Sequence, residues 1–142
     1  MSIFPTRILL ATDGSAEAQL AATTAADLNK STDSELHVVY VGELMPTFLA
    51  QTELEPAEHE REAQQLLDEQ VRKVEEAGGT VKEAHLRLGR ADEEIVELAH
   101  SLGIGLIVMG SRGRGRIRRA LMGSISESVV RHAHCPVTIV RE

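Results

Sequence analysis

A chain of 142 residues has room for one domain with a substantial core and not for two, so a single domain over residues 1–142 is expected. Aromatic residues make up 2% of it and Trp is absent, which leaves a core of Ile, Leu, Val and Ala and few stacking platforms for single-stranded nucleic acid. A formal net charge of -7 opposes polyanions, so nucleic acid is not an expected partner.

The first β-branched and aliphatic run, 7–11, reads as a strand. Its apolar part, 8–11, is too short for a signal-peptide core or a membrane span, and no membrane partner is expected. Thr12, Asp13, Gly14 and Ser15 lead into a helix whose apolar positions are Ala18, Ala21, Ala22 and Ala25. A second strand is predicted at 36–41, followed by a stretch, 42–56, in which Pro46 and Pro56 discourage regular structure. From 57 to 77, Ala63, Leu67, Val71 and Val74 mark one face of a helix whose other face is charged and solvated, and Gly78-Gly79 stops it.

A third strand at 81–88 precedes a helix with Ile95, Leu98, Ala99 and Leu102 on one face and Asp92, Glu93 and Glu94 in its first turn, ended by Gly103. The run 106–109 is apolar on both sides of the pleat, as in a central parallel strand. A polar loop leads to a last helix at 124–133, carrying Ile125, Val129 and Val130, and Pro136 opens a terminal strand at 137–140. The single cysteine, Cys135, rules out an intramolecular disulfide, suits a reducing, cytoplasmic compartment and reads as a small packed residue. Five strands alternating with four helices predict a doubly wound α/β domain: a five-stranded parallel sheet, helices on both faces, and ligand loops at the carboxyl ends of the strands.

The loop from Gly110 to Ser124 carries the chemistry. Gly110, at a strand end, lets a ligand approach the backbone, and Gly113 permits a turn whose amides form an anion nest. Gly123 and Ser124 stand where free N–H groups and the helix dipole favour phosphate. No Gly-Lys-Ser/Thr ending is present, so this is not a Walker A loop. Gly113-x-Gly115-x-x-Arg118 lacks the third glycine of the dinucleotide fingerprint. Arginines at 112, 114, 116, 118 and 119 make the loop locally basic, a funnel for a polyphosphate.

The spacing Gly110-x2-Gly113-x9-Gly123-Ser124 resembles that of ATP-binding members of the universal stress protein family. Ile8-Leu-Leu-Ala-Thr-Asp-Gly-Ser15 is similar to the family's first strand and loop, Leu36-His-Val-Val39 to its second strand, and His134-Cys-Pro-Val-Thr-Ile-Val140 to its last. The resemblance implies the adenine nucleotide alpha hydrolase-like arrangement, strand order 3-2-1-4-5, with Asp13 and Gly110 sharing one crevice. It further implies ATP as ligand, with Asp13 approaching the ribose or a phosphate-bound Mg²⁺ and Thr12 lining the same edge. Val38 would meet adenine through its backbone. Gly89, Met109, Gly110, Arg112 and Gly113 would surround ribose and phosphates, and Gly123, Ser124, Ile125 and Ser126 would close the phosphate end. The terminal strand, at the sheet edge in that family, implies a homodimer.

No Ser/His/Asp order or acid pair stands out as a catalytic unit, so the expectation is a nucleotide-dependent stress-response module with at most slow hydrolysis. Two other readings remain open: an ATPase or adenylyl-handling enzyme in which Arg112, Asp13 and Mg²⁺ activate the phosphate chain, and a nucleotide-free dimer acting through protein contacts. The six histidines show no metal-ligand spacing, and a surface or helix-end role is expected for them, His132 and His134 lying near the end of the last helix.

Overall fold

Ile8, Leu9 and Leu10 have no exposed surface, so the first strand, β1 (Arg7–Thr12), is covered on both faces. The covering helices follow from the alternation of its side chains. Ile8 and Leu10 pack with Ala21, Ala22, Ala25, Ala26, Leu67 and Val74 on one side of the sheet. Leu9 and Ala11 pack with Ile95, Leu98, Ala99 and Val129 on the other.

The computed structural model describes residues 2–42, 56–111 and 123–141. After β1 come α1 (Ala16–Thr32), β2 (Glu35–Gly42), α2 (Pro56–Glu76), β3 (Val81–Leu88), α3 (Ala91–Leu102), β4 (Leu106–Gly110), α4 (Ser124–His132) and β5 (Val137–Val140). The strands form one parallel sheet in the order β3-β2-β1-β4-β5, as expected, with Ile8 opposite both Leu36 and Leu106. α1 and α2 cover one face, α3 and α4 the other.

Sheet-facing alanines let α1 lie close to the strands, and its start is fixed by Ser15, whose hydroxyl accepts the Ala18 N–H at 3.2 Å. Pro56, expected to lie in irregular chain, instead opens α2, where the first position of a helix has no use for a backbone N–H. The rest of the stretch between β2 and α2, residues 43–55, lies outside the described residues. Among the described residues no helix is long and apolar enough to cross a membrane.

Candidate functional site

The strand order reverses between β1 and β4, and the chain leaves these two neighbours toward opposite faces of the sheet. A crevice must therefore open beyond their carboxyl ends. A cavity of about 280 Å³ lies there. Val39, Val41, Ile95, Met109 and Ile125 give it an apolar wall, and Thr12, Asp13, Ser15, Ser111 and Ser126 a polar one.

Short hydrogen bonds shape the polar wall. The Asp13 carboxylate accepts the Ser15 N–H at 2.9 Å, an Asx turn that swings the chain from β1 into α1. The Thr12 hydroxyl donates to Gln70 of α2 at 3.0 Å in a buried contact, and the Gly14 N–H lies 3.4 Å from the same oxygen. These bonds hold the turn against α2, so the Asp13 backbone is pinned from both sides.

Across the cavity, Ser111 is the joint. Its N–H donates to Val140 at 3.0 Å, and its carbonyl accepts the Gly123 N–H at 2.5 Å and the Ser126 hydroxyl at 2.6 Å. Its own hydroxyl donates to Glu17 at 2.5 Å; both side chains are buried. Gly110 makes this geometry possible. A Cβ there would stand 3.0 Å from the Glu17 Cβ and 3.4 Å from the Ala18 nitrogen, so a side chain would push α1 and β4 apart by a few tenths of an ångström.

Helices α1 and α4 thus begin at the cavity, as does α3, whose first residue, Ala91, lines it. Gly123 caps α4 without a side chain, so no cap side chain occupies the first-turn donors of that helix. Helix N-termini carry partial positive charge, and an anion placed between α1 and α4 would be favoured by both.

Of the residues singled out in the sequence, the fold brings Thr12, Asp13, Met109, Gly110, Gly123, Ile125 and Ser126 to this cavity. Val38, expected to meet adenine through its backbone, is not among the lining residues; its side chain is buried on the α1 and α2 face, and Val39, Tyr40 and Val41, nearer the strand's carboxyl end, meet the cavity. Gly89 does not line it either. Its φ of 145° serves the turn from β3 into α3, where its N–H donates to Gly42 at 3.0 Å. Ser124, the exposed first residue of α4, is outside the lining, and Arg112 and Gly113 lie outside the described residues.

Sequence reasoning passed over Ser15, Ser111, Ala91 and Ile95. The apolar period of the third helix marks Ile95 as facing the sheet but not as reaching the cavity, and nothing local distinguishes Ser111 from an ordinary loop serine. Cys135 packs, half-buried, against the α3 and α4 core, and burial pushes its thiol up despite a hydrogen bond from the Ile107 backbone. His132 sits in the last turn of α4, Nδ1 at 2.8 Å from the Ser128 carbonyl, the expected helix-end position, whereas His37, also expected at the surface or a helix end, is buried in β2 between two strands.

A doubly wound parallel sheet whose cavity lies at the switch point, between two helix N-termini, defines an α/β protein of the class that carries its ligand site beyond the strand ends. Residues 5–141 match the model of the universal stress protein family, and the chain belongs to that family. Universal stress protein MJ0531 of Methanocaldococcus jannaschii is 35% identical over 144 residues, covering 96% of this chain and 82% of that protein. Two solved structures share the fold. A universal stress protein in complex with cAMP is 24% identical, with a TM-score of 0.75 and 98% of each chain covered. The universal stress protein from Archaeoglobus fulgidus in complex with dAMP is 24% identical, with a TM-score of 0.70, covering 97% of this chain and 99% of that one.

Proposed function

We propose that this protein binds an adenine nucleotide, ATP with Mg²⁺, in the cavity beyond β1 and β4, and acts as a nucleotide-dependent stress-response module in the cytoplasm. The observation that carries the reading is the pairing of an apolar wall with two helix N-termini across one cavity. Adenine suits the wall formed by Val39, Val41 and Ile95, and the phosphates suit the first turn of α4. The cAMP and dAMP held by proteins of the same fold support adenine as the base.

The residues present fit Mg²⁺ as a partner of the nucleotide rather than of the protein alone. Asp13 lines the cavity and is the carboxylate of its β1 rim, and Mg²⁺ is commonly held by one or two carboxylates together with phosphate oxygens and water. Asp13 would hold the ion against the phosphates, where its charge would offset theirs. In this reading Arg112 and Gly113 complete the phosphate side, and binding is the activity assigned, since fast phosphoryl transfer also needs a positioned nucleophile. Nucleotide occupancy would act by favouring one conformational state over another.

Calorimetric titration with ATP, AMP, cAMP and FMN, each with and without Mg²⁺, tests the reading. One adenine nucleotide per chain is expected, with Mg²⁺ strengthening ATP and leaving AMP nearly unchanged. In Asp13→Asn, which keeps the oxygen that accepts the Ser15 N–H, the Mg²⁺ effect should vanish while AMP still binds. Absence of binding by every adenine nucleotide at millimolar concentration would overturn it.

A further inference from the structure

A separate concentration of polar side chains lies on the seam between β2 and β3. In the first pairing of these strands Leu36 faces Val81, but a shift in register makes the next pair His37 and Glu83, leaving Lys82 as the extra residue. A one-residue slip moves every later side chain to the other face of a strand. Without it Glu83 and His85 would lie on the face opposite His37; with it they share its face, Glu83 directly across and His85 two residues further along.

The consequence is a close cluster. His37 Nδ1 is 3.1 Å from His85 Nε2, and His85 Nε2 is 3.9 Å from a Glu83 carboxylate oxygen. The imidazole rings stack with centroids 5.4 Å apart. One nitrogen or oxygen from each of the three residues lies within 4.8 Å of the others.

We propose that His37, His85 and Glu83 form a binding site for one divalent first-row transition ion, with Zn²⁺ as its representative. Ligand bonds of about 2.0–2.2 Å place donor atoms about 3–4 Å apart; the His37–His85 and His85–Glu83 pairs stand at that spacing, and all three donors lie within 4.8 Å. Two imidazoles and one carboxylate select borderline ions such as Zn²⁺, Co²⁺ or Ni²⁺ over Mg²⁺ and Ca²⁺, which take oxygen ligands.

Two further features fit coordination. The other nitrogen of His37, Nε2, is 3.5 Å from the Glu35 carboxylate. A ring that binds metal through Nδ1 carries its proton on Nε2, and a carboxylate there orients the ligand. The site is also reachable. β3 is an edge strand, and the Glu83 side chain is 61% exposed. None of the three residues lines the cavity beyond β1 and β4, so the proposal does not rest on nucleotide binding.

Chelator-treated protein without nucleotide, titrated with Co²⁺ by absorption spectroscopy and with Zn²⁺ by calorimetry, gives the test. One equivalent should bind, Co²⁺ should show the intense d–d bands of a low-coordinate site, and Zn²⁺ should raise the melting temperature. His37→Gln and His85→Gln should abolish the signal, and Glu83→Gln, at an exposed side chain, should weaken it without loss of fold. Glu35→Gln should weaken Zn²⁺ about 10–100-fold, as for other residues that orient a ligand. The rings of His100 and His134 approach to 5.2 Å, so the double variant His100→Gln/His134→Gln is the control and should bind as the parent does. No stoichiometric binding, or binding that survives His85→Gln and Glu83→Gln or is lost in the control, would overturn the proposal and leave a simple hydrogen-bonded imidazole pair.

Discussion

Ser111 shows how a single small side chain fixes the site. Its backbone ties the end of β4 to β5 and to the start of α4, while its hydroxyl reaches α1 through Glu17. A buried carboxylate is costly wherever its acceptor capacity is unmet, so the hydroxyl supports α1 as well as the cavity wall. Ser111→Ala keeps the backbone bonds and removes only this donor. The expected loss is about 1–3 kcal/mol, the usual cost of taking one partner from a buried polar group. Ser126→Ala should cost less, because the Ser111 carbonyl still accepts the Gly123 N–H. Urea midpoints at constant m-value would measure both; equal losses would mean that the Glu17 contact carries no special weight.

At the scale of elements, α3 and α4 are joined by Asp92, which sits in the first turn of α3 and accepts the Ser128 hydroxyl at 2.8 Å. Burial alone would raise its pKa, but hydrogen bonds from Ser128 and from nearby backbone amides, with the charge of Arg90, hold it below the ordinary 3.8. The unfolded chain therefore takes up this proton first as pH falls, so stability present above pH 3.8 is lost as acidity passes through the lowered value. Asp92→Asn should cost about 1 kcal/mol near neutral pH and nothing in strong acid, read from urea unfolding across that range. A cost that stays constant with pH would show that the charge is irrelevant. The same elements show what could be read from sequence. The alanine period of α1 and the apolar run of β4 are local signals, and both elements formed where expected. Pro56 was misread because a proline stops a helix from within and starts one equally well, and only the following residues decide. Val38 lies further from the carboxyl end of β2 than Val39, Tyr40 and Val41, and sequence does not say where along the strand the cavity begins. The pairing of His37 with His85 depends on a bulge between strands 48 residues apart, beyond any local pattern.

For the molecule as a whole, the order β3-β2-β1-β4-β5 leaves two edges, and β5 is one of them. The Ile107 N–H donates to Pro136 and the Ser111 N–H to Val140, so alternate residues of β5 turn their backbone groups toward β4. The residues between them, Val137 and Ile139, turn theirs away from the sheet while their side chains pack into the α3 and α4 core. An edge of this kind is suited to pair with its own copy about a two-fold axis, which would cover the β5 edge of both copies at once and continue the sheet, leaving β3 as the outer strand. Sedimentation at micromolar concentration should then show a dimer. Ile139→Pro, which removes an outward N–H without touching the β4 ladder, should yield monomer, whereas Ile139→Ala loses packing but keeps the N–H and should remain dimeric. If both variants dissociate alike, side-chain packing rather than strand pairing holds the copies together, and a monomeric parent would remove the edge as an interface altogether.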